Sequence, residues 1–325
     1  MTRVPNTLLR RTSGLRHRSI DFSTDVIQGP SLLRTRLDRP NPSLILLPGL
    51  RSLPFWTQSS TANNDNGDSN NSNDEMNNHV TNKVAYQDPQ VTFCVEHLQS
   101  HWKTLRDEYE AVAPGLASDY HPQGSTTNTG TTGTEHSQTL HEGTWDWHSY
   151  MLKGVVQGHF CAHFPQTTST LQVLRDEGLL FEGTPFGYSF YSTLHPRSKI
   201  EPHTAPMNFR LRIHLPLIVP KAVTTTQNTT VSAEEANNNN DDNNHHDIPC
   251  GIRVGPLIRP WIEGQALVLD DAYRHAVWNR TDGMRVILLV DIWHPDVTMS
   301  ERKDIVKMFA DAQQQVRNAS VFEGY

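Results

Sequence analysis

The chain has 325 residues, a formal net charge of −7 and 36% apolar residues, below the roughly 45–50% of an ordinary globular chain. The shortfall is local: 1–42, 57–83, 114–143 and 221–249 hold almost no core-forming pattern, and what remains suffices for one well-buried core. A fully disordered chain and two full-sized domains are thereby excluded. The ordered part also lacks the clustered basic patch of a nucleic-acid surface and the run of about 20 apolar residues that spans a membrane.

In chain order, residues 1–42 form a basic leader expected to be disordered. Its first 20 residues carry Arg3, Arg10, Arg11, Arg16 and Arg18 and no acid. That composition is shared by organelle transit peptides and by disordered basic tails, so cytoplasm and organelle both stay open. The tracts 57–83 and 221–249 are rich in Asn, Ser and Asp, and 114–143 in Gly, Thr and Ser. Such segments cannot offset the entropy of ordering. They are expected as disordered surface insertions, which a fold tolerates because loop-closure entropy grows slowly with length. His245 and His246 sit in an Asn run and are expected to be solvated. Cys94, Cys161 and Cys250 are far apart and odd in number, which argues for free thiols rather than a disulfide framework or zinc knuckle.

Between the tracts the pattern is regular. Val91, Val95, Leu98, Trp102, Leu105 and Tyr109 predict one amphipathic helix over 91–112. A second helix is predicted over 169–177, begun by the Thr167–Ser169 cluster and ended by Gly178. Strands are predicted over 188–194, 209–217, 251–254, 266–270, 276–278 and 285–291, and a closing helix over 299–316. Many short strands at close spacing suggest an all-β sandwich or barrel.

Phe209, Leu211, Ile213, Leu215 and Leu217 alternate with Arg210, Arg212 and His214, a period of two that puts three potential cations on one strand face. Either that face is solvated, or it has a fixed negative partner. A small dicarboxylate would serve, since the planar guanidinium pairs bidentately with carboxylate.

Two blocks, YSTLHPRSKIEPHTAPMNFRLRIHL (191–215) and WIEGQALVLDDAYRHAVWN with RVILLVDIWHP (261–295), resemble the aspartyl/asparaginyl β-hydroxylase family of iron(II)- and 2-oxoglutarate-dependent dioxygenases. LLPGLRSLPFW (46–56), WDWHSYMLKG (145–154) and HFPQT (163–167) add to the likeness, and the insertions fall between the blocks. The resemblance implies a mainly β, double-stranded β-helix (jelly-roll or cupin-like) domain with flanking helices over 44–318. It implies His203 and His275 as iron ligands, and Arg285 as the clamp on the distal carboxylate of 2-oxoglutarate, assisted by Ser192. Arg212 and His214 match the cosubstrate pocket, and Arg210 is a weaker candidate for holding a substrate carboxylate or amide.

Many iron sites of this chemistry carry H-x-D, but Ala205 stands two residues after His203. The resembled family often lacks that carboxylate and holds iron with two histidines. Asp270 and Asp271 either orient His275 or end the strand and cap a turn. His195, His294, Trp261, Trp278 and Trp293 are expected to be structural. Trp145, Trp147, His148 and Tyr150 form either a lid or part of the core.

The implied reaction consumes 2-oxoglutarate and O2 and hydroxylates an unactivated carbon, with the β-carbon of a peptidyl Asp or Asn as the family-suggested target. A small molecule or lipid acyl chain is the same-class alternative, because fold and cosubstrate site do not fix the substrate. A catalytically silent, cupin-like binding protein is the alternative from another class.

Overall fold

The computed structural model describes residues 45–56, 88–120, 140–221 and 248–322. The expected basic leader at 1–42, nearly all of the expected insertions at 57–83 and 221–249, and His245 and His246 lie outside the described residues.

Two helices open the domain, α1 (Pro89–Ser100) and α2 (Trp102–Val112). They replace the single helix expected over 91–112. The break falls at His101 (φ −105°, ψ −1°), whose Nδ1 bonds the His97 carbonyl at 2.8 Å. The apolar period runs across the break unchanged, which is why it was invisible in sequence. Then follow β1 (His141–Glu142), β2 (Trp145–Leu152), β3 (Val155–Val156), α3 (Gly158–His163) and α4 (Pro165–Asp176).

α4 begins at Pro165, four residues before the expected start. Its free N–H groups are capped by a carboxylate from α2: Glu108 accepts from the amides of Gln166 and Thr167 at 2.7 and 2.8 Å. A cap supplied by a distant residue has no local signature.

The remaining elements are β4 (Ser189–Leu194), β5 (Ser198–His203), β6 (Arg210–Ile218), β7 (Cys250–Val254), β8 (Leu257–Pro260), β9 (Leu267–Leu269), β10 (His275–Asn279), β11 (Arg285–Trp293) and α5 (Met299–Phe322). A reciprocal Thr298–Glu301 cap starts α5.

The strands form two antiparallel sheets, one in the order β1-β5-β10-β7-β8 and the other β3-β2-β4-β11-β6-β9. This is the jelly-roll architecture, with the helices flanking it. One apolar cluster joins α1, α2 and α4 to the outer face of the six-stranded sheet through residues such as Leu98, Leu105, Leu174, Leu211, Leu215 and Leu288. A second, with Phe190, Ile200, Ile252, Val277, Ile287 and Leu289, draws on both sheets. The alternation seen in β6 thus has a physical basis. Its leucines face the helices, and its basic residues face the space between the sheets.

Trp145–Leu152 is core strand rather than lid: Trp145 and His148 are 7% exposed and Tyr150 is fully buried. Order also reaches into both ends of the tract expected as an insertion over 114–143. Ser118 and Asp119 bond the backbone of β2, and β1 pairs with β5. Cys94, Cys161 and Cys250 are free thiols. No helix among the described residues is long and apolar enough to cross a membrane.

Candidate functional site

His203 closes β5 and His275 opens β10, and the two strands pair with His275 opposite His203. Their imidazole centroids stand 4.0 Å apart. Each ring is fixed in the same way. The Nδ1 of His203 lies 2.7 Å from the Glu201 carbonyl, and the Nδ1 of His275 lies 2.9 Å from the Tyr273 carbonyl. A carbonyl can only accept, so the proton sits on Nδ1 and Nε2 keeps its lone pair. Burial holds both imidazoles below their ordinary range; Arg212 adds to this for His203, and His203 does so for His275. Two neutral imidazoles with free Nε2 lone pairs are the donor form that a transition metal takes. Ala205 supplies no donor to this pair. Among the described residues no group of three or more His, Cys, Asp or Glu could hold a metal ion.

A cavity of about 190 Å³ opens beside the pair, and Ser192, His203, Arg210, Arg212, His214, His275 and Arg285 all line it. Arg285 lies on its floor, 1% exposed. The guanidinium donates from Nη1 to the carbonyl and Oγ of Ser192, both at 3.3 Å, and its Cζ lies 4.8 Å from the Trp261 ring. Its Nε has no partner among the described residues, and burial lowers its pKa to about 10. Trp145 donates to Ser192 Oγ at 2.8 Å and holds that hydroxyl in place. Both ring nitrogens of His214 are buried without a hydrogen-bond partner among the described residues.

Arg210 and Arg212 are paired internally: of the alternatives for this strand face, the fixed negative partner is present, and it comes from the chain's own Asp271 and Asp291. Arg210 binds Asp271 and Asp291, the latter at 3.0 Å. Arg212 binds Asp291 at 2.8 Å and Asp271 at 3.3 Å. Arg210 also donates to the Phe186 carbonyl, so a substrate carboxylate would have to displace partners already in place. Burial pushes the Asp271 carboxyl up, yet Arg210 and Arg212 overcome this and hold it below the usual range. Among the described residues around the cavity, three guanidiniums meet two carboxylates, and the one left without a carboxylate is Arg285.

The Asp270–Asp271 alternative divides. Asp270 caps the turn, accepting from the Ala272 amide at 2.9 Å, whereas Asp271 is the counter-ion of the arginines. Burial raises Asp270 from 3.8 to about 7. Between those values the folded chain keeps a proton that the unfolded chain has lost, so stability falls as pH rises from about 4 to 7. Asp270→Asn, which keeps the capping oxygen, is expected to raise the unfolding free energy at pH 8 by roughly 2–4 kcal/mol and to give no gain at pH 4. Denaturant unfolding at the two pH values checks this.

Asp291 was missed in the sequence. A lone acid in the apolar run RVILLVDIW, 0% exposed in β11, was its signal. The residues expected to be structural are so. His195 pairs with Asp146 at 2.6 Å, His294 bonds the Arg51 carbonyl at 3.0 Å, and Trp261, Trp278 and Trp293 are 3–9% exposed.

The family model described as Aspartyl/Asparaginyl beta-hydroxylase matches residues 99–295, a span that contains every residue of this cavity. The chain is 26% identical over 263 residues to human aspartyl/asparaginyl beta-hydroxylase, covering 81% of this chain and 26% of that protein. It is 28% identical over 221 residues to human aspartate beta-hydroxylase domain-containing protein 2, covering 66% of this chain and 48% of that one. A solved Pseudomonas putida prolyl-4-hydroxylase is similar with a TM-score of 0.31 and 12% identity, covering 63% of this chain and 98% of that one. The chain therefore spans about a quarter of the first relative and about half of the second. A match over more than half its length, carrying both histidines and the buried arginine, makes this chain a member of the aspartyl/asparaginyl beta-hydroxylase family.

Proposed function

We propose that this protein is an iron(II)- and 2-oxoglutarate-dependent hydroxylase. In the balanced reaction a C–H substrate, O2 and 2-oxoglutarate give the alcohol, succinate and CO2. The observation that carries the reading is the pairing, in one cavity, of two neutral imidazoles with a buried arginine that has no carboxylate partner among the described residues.

The residues present fit both groups. His203 and His275 would hold iron(II) through Nε2, because their Nδ1 protons are committed to Glu201 and Tyr273. Bound iron supplies O2 activation, with 2-oxoglutarate as the electron donor. Arg285 would take the distal carboxylate of 2-oxoglutarate, with Ser192 Oγ beside it. A charge-assisted pair of this kind is worth about 1.5–3 kcal/mol, and the pair is sheltered from screening because its site is buried. His214, neutral and without a hydrogen-bond partner, stands in the same floor and can donate to or accept from the cosubstrate. The apolar wall of Ile287, Leu289 and Val277 keeps bulk water off the reacting centre. Asp271 and Asp291 keep Arg210 and Arg212 fixed, so the substrate end of the cavity is preorganised. The family points to the β-carbon of a peptidyl Asp or Asn as the target.

Purified protein given iron(II), ascorbate and 2-oxoglutarate under air, with peptide pools, is expected to release succinate. The release is expected to disappear when either iron or 2-oxoglutarate is left out. Succinate release that persists without iron, or none under any condition, overturns the reading.

A further inference from the structure

The cavity is lined on one side by aromatic rings that continue past it. Trp145 and Trp147 border the same space as His203 and His275. Behind them stands Tyr120, whose ring centroid is 5.1 Å from that of Trp145 and 4.9 Å from that of Trp147. The two indoles are themselves 4.9 Å apart. Indole and phenol are among the most easily oxidised side chains. At contact distance an electron passes between them without movement of the chain.

Ring contact alone is ordinary core packing. What sets this cluster apart is where a proton can go. An oxidised indole or phenol is a strong acid, and it is trapped only where a base takes its N–H or O–H proton. The indole N–H of Trp147 is buried with no partner among the described residues. That of Trp145 donates to the Ser192 hydroxyl at 2.8 Å, which is a poor base. Neither indole can therefore trap an oxidising equivalent. The Tyr120 hydroxyl, by contrast, stands 3.2 Å from Nδ1 of His141, and a neutral imidazole nitrogen accepts a phenol proton. Burial holds His141 below its ordinary range, so the base is neutral near neutral pH. His141 is itself half-buried in β1, which leaves the proton a route to solvent.

Tyr188 is the phenol that borders the cavity directly, 6.1 Å from Trp147. It faces the charges of Arg210 and Arg212, and these oppose a cation radical there. The arrangement thus favours Tyr120 as the end of the path.

The use of such a path follows from the reading given under Proposed function, on which this inference rests. When O2 and 2-oxoglutarate react with no C–H substrate in place, two oxidising equivalents are left in a buried pocket walled by oxidisable rings. We propose that Trp145, Trp147 and Tyr120, with His141 as the base, form an electron relay through which a solution reductant of the ascorbate class discharges the site after turnover without substrate. In the balanced reaction 2-oxoglutarate, O2, two electrons and two protons give succinate, CO2 and water. Ascorbate supplies both electrons and both protons and leaves as dehydroascorbate. Each oxidising equivalent moves from the site to an indole and then to Tyr120, whose proton passes to His141. Reduction of Tyr120 at the outer end restores the phenol.

The full chain loaded with iron(II) tests this. It is given 2-oxoglutarate under air with a nitroso spin trap, no peptide, and either no reductant or ascorbate. Trapped residues and oxygen adducts are located by peptide mass spectrometry, and succinate is measured alongside. Without ascorbate the trap is expected on Tyr120. With ascorbate that adduct is expected to be lost while succinate release continues. Tyr120→Phe keeps the ring and removes only the hydroxyl. It is expected to abolish trapping at this position and to gain one oxygen on Trp145 or Trp147, which ascorbate no longer prevents. The trapping result is read in the unaltered chain and does not depend on the variant folding.

Trapping on Tyr188, or on no aromatic residue, while succinate is released overturns the relay and leaves the oxygenase reading standing. Undiminished protection of the two tryptophans by ascorbate in Tyr120→Phe does the same. No succinate under any condition overturns the oxygenase reading, and the relay with it.

Discussion

An Arg285→Ala variant is expected to need about 10- to 150-fold more 2-oxoglutarate for half-maximal succinate release, from the loss of about 1.5–3 kcal/mol at a charged hydrogen-bonded pair. Iron(II) affinity is expected to change by less than about threefold, because the guanidinium is not a metal ligand. The selectivity follows from how Arg285 is held. It donates weakly to the Ser192 carbonyl and hydroxyl at 3.3 Å and rests against the Trp261 ring. No carboxylate faces it among the described residues, whereas every other guanidinium around the cavity has two. A buried cation without a partner costs stability. Removing it sheds that cost, and the cavity left beside Trp261 adds one of opposite sign. The two offset, so unfolding of the ligand-free variant should shift by no more than about 1 kcal/mol. Adding 2-oxoglutarate should raise the melting temperature of the parent and leave that of the variant unchanged, since a ligand stabilises only the chain it binds. Equal losses of iron and cosubstrate affinity would contradict the clamp role.

What could be seen in the sequence depended on whether a signal was local. Six of the strands could be placed because β6 alternates strictly and β11 is apolar but for Arg285 and Asp291, patterns set by one residue and its neighbours, whereas β1, β2, β3, β5 and β8 were not predicted. His203, His275 and Arg285 were found through the motifs around them, and the cavity brings the three together. What could not be seen was set by contacts across the chain. Glu108 caps α4 from another helix, and nothing near Pro165 announces this. The split at His101 leaves the apolar period intact. Arg210 and Arg212 looked like free cations because Asp291 lies 79 positions from Arg212 and Asp271 61 from Arg210. The pairing is imposed by sheet register, with Asp291 opposite Arg212. A strand pattern tells which face a charge occupies. It does not tell which opposite charge the neighbouring strand brings to it.

The histidine pair leads to the other large effect. His275→Ala is expected to bind cobalt(II), a spectroscopic stand-in for iron(II), at least on the order of 100-fold more weakly. Losing a mere outer-shell partner of a metal ligand costs about 10–100-fold, and here a ligand itself is lost from a set of two. No third side chain can compensate, because Ala205 offers no donor and no group of three His, Cys, Asp or Glu converges among the described residues. The fold should survive. His275 contributes one hydrogen bond to the Tyr273 carbonyl, worth about 0.5–1.5 kcal/mol, while the β10 ladder to β5 and β7 depends on backbone groups the substitution leaves alone. The d–d absorption of cobalt(II) reports the metal, and far-UV circular dichroism with the melting temperature reports the fold. His203→Ala should behave alike, since the two rings are fixed by equivalent bonds to carbonyls two residues upstream. Undiminished cobalt(II) binding by either variant, with a native melting curve, would mean that the metal is held elsewhere and that the facing imidazoles serve only the packing between β5 and β10.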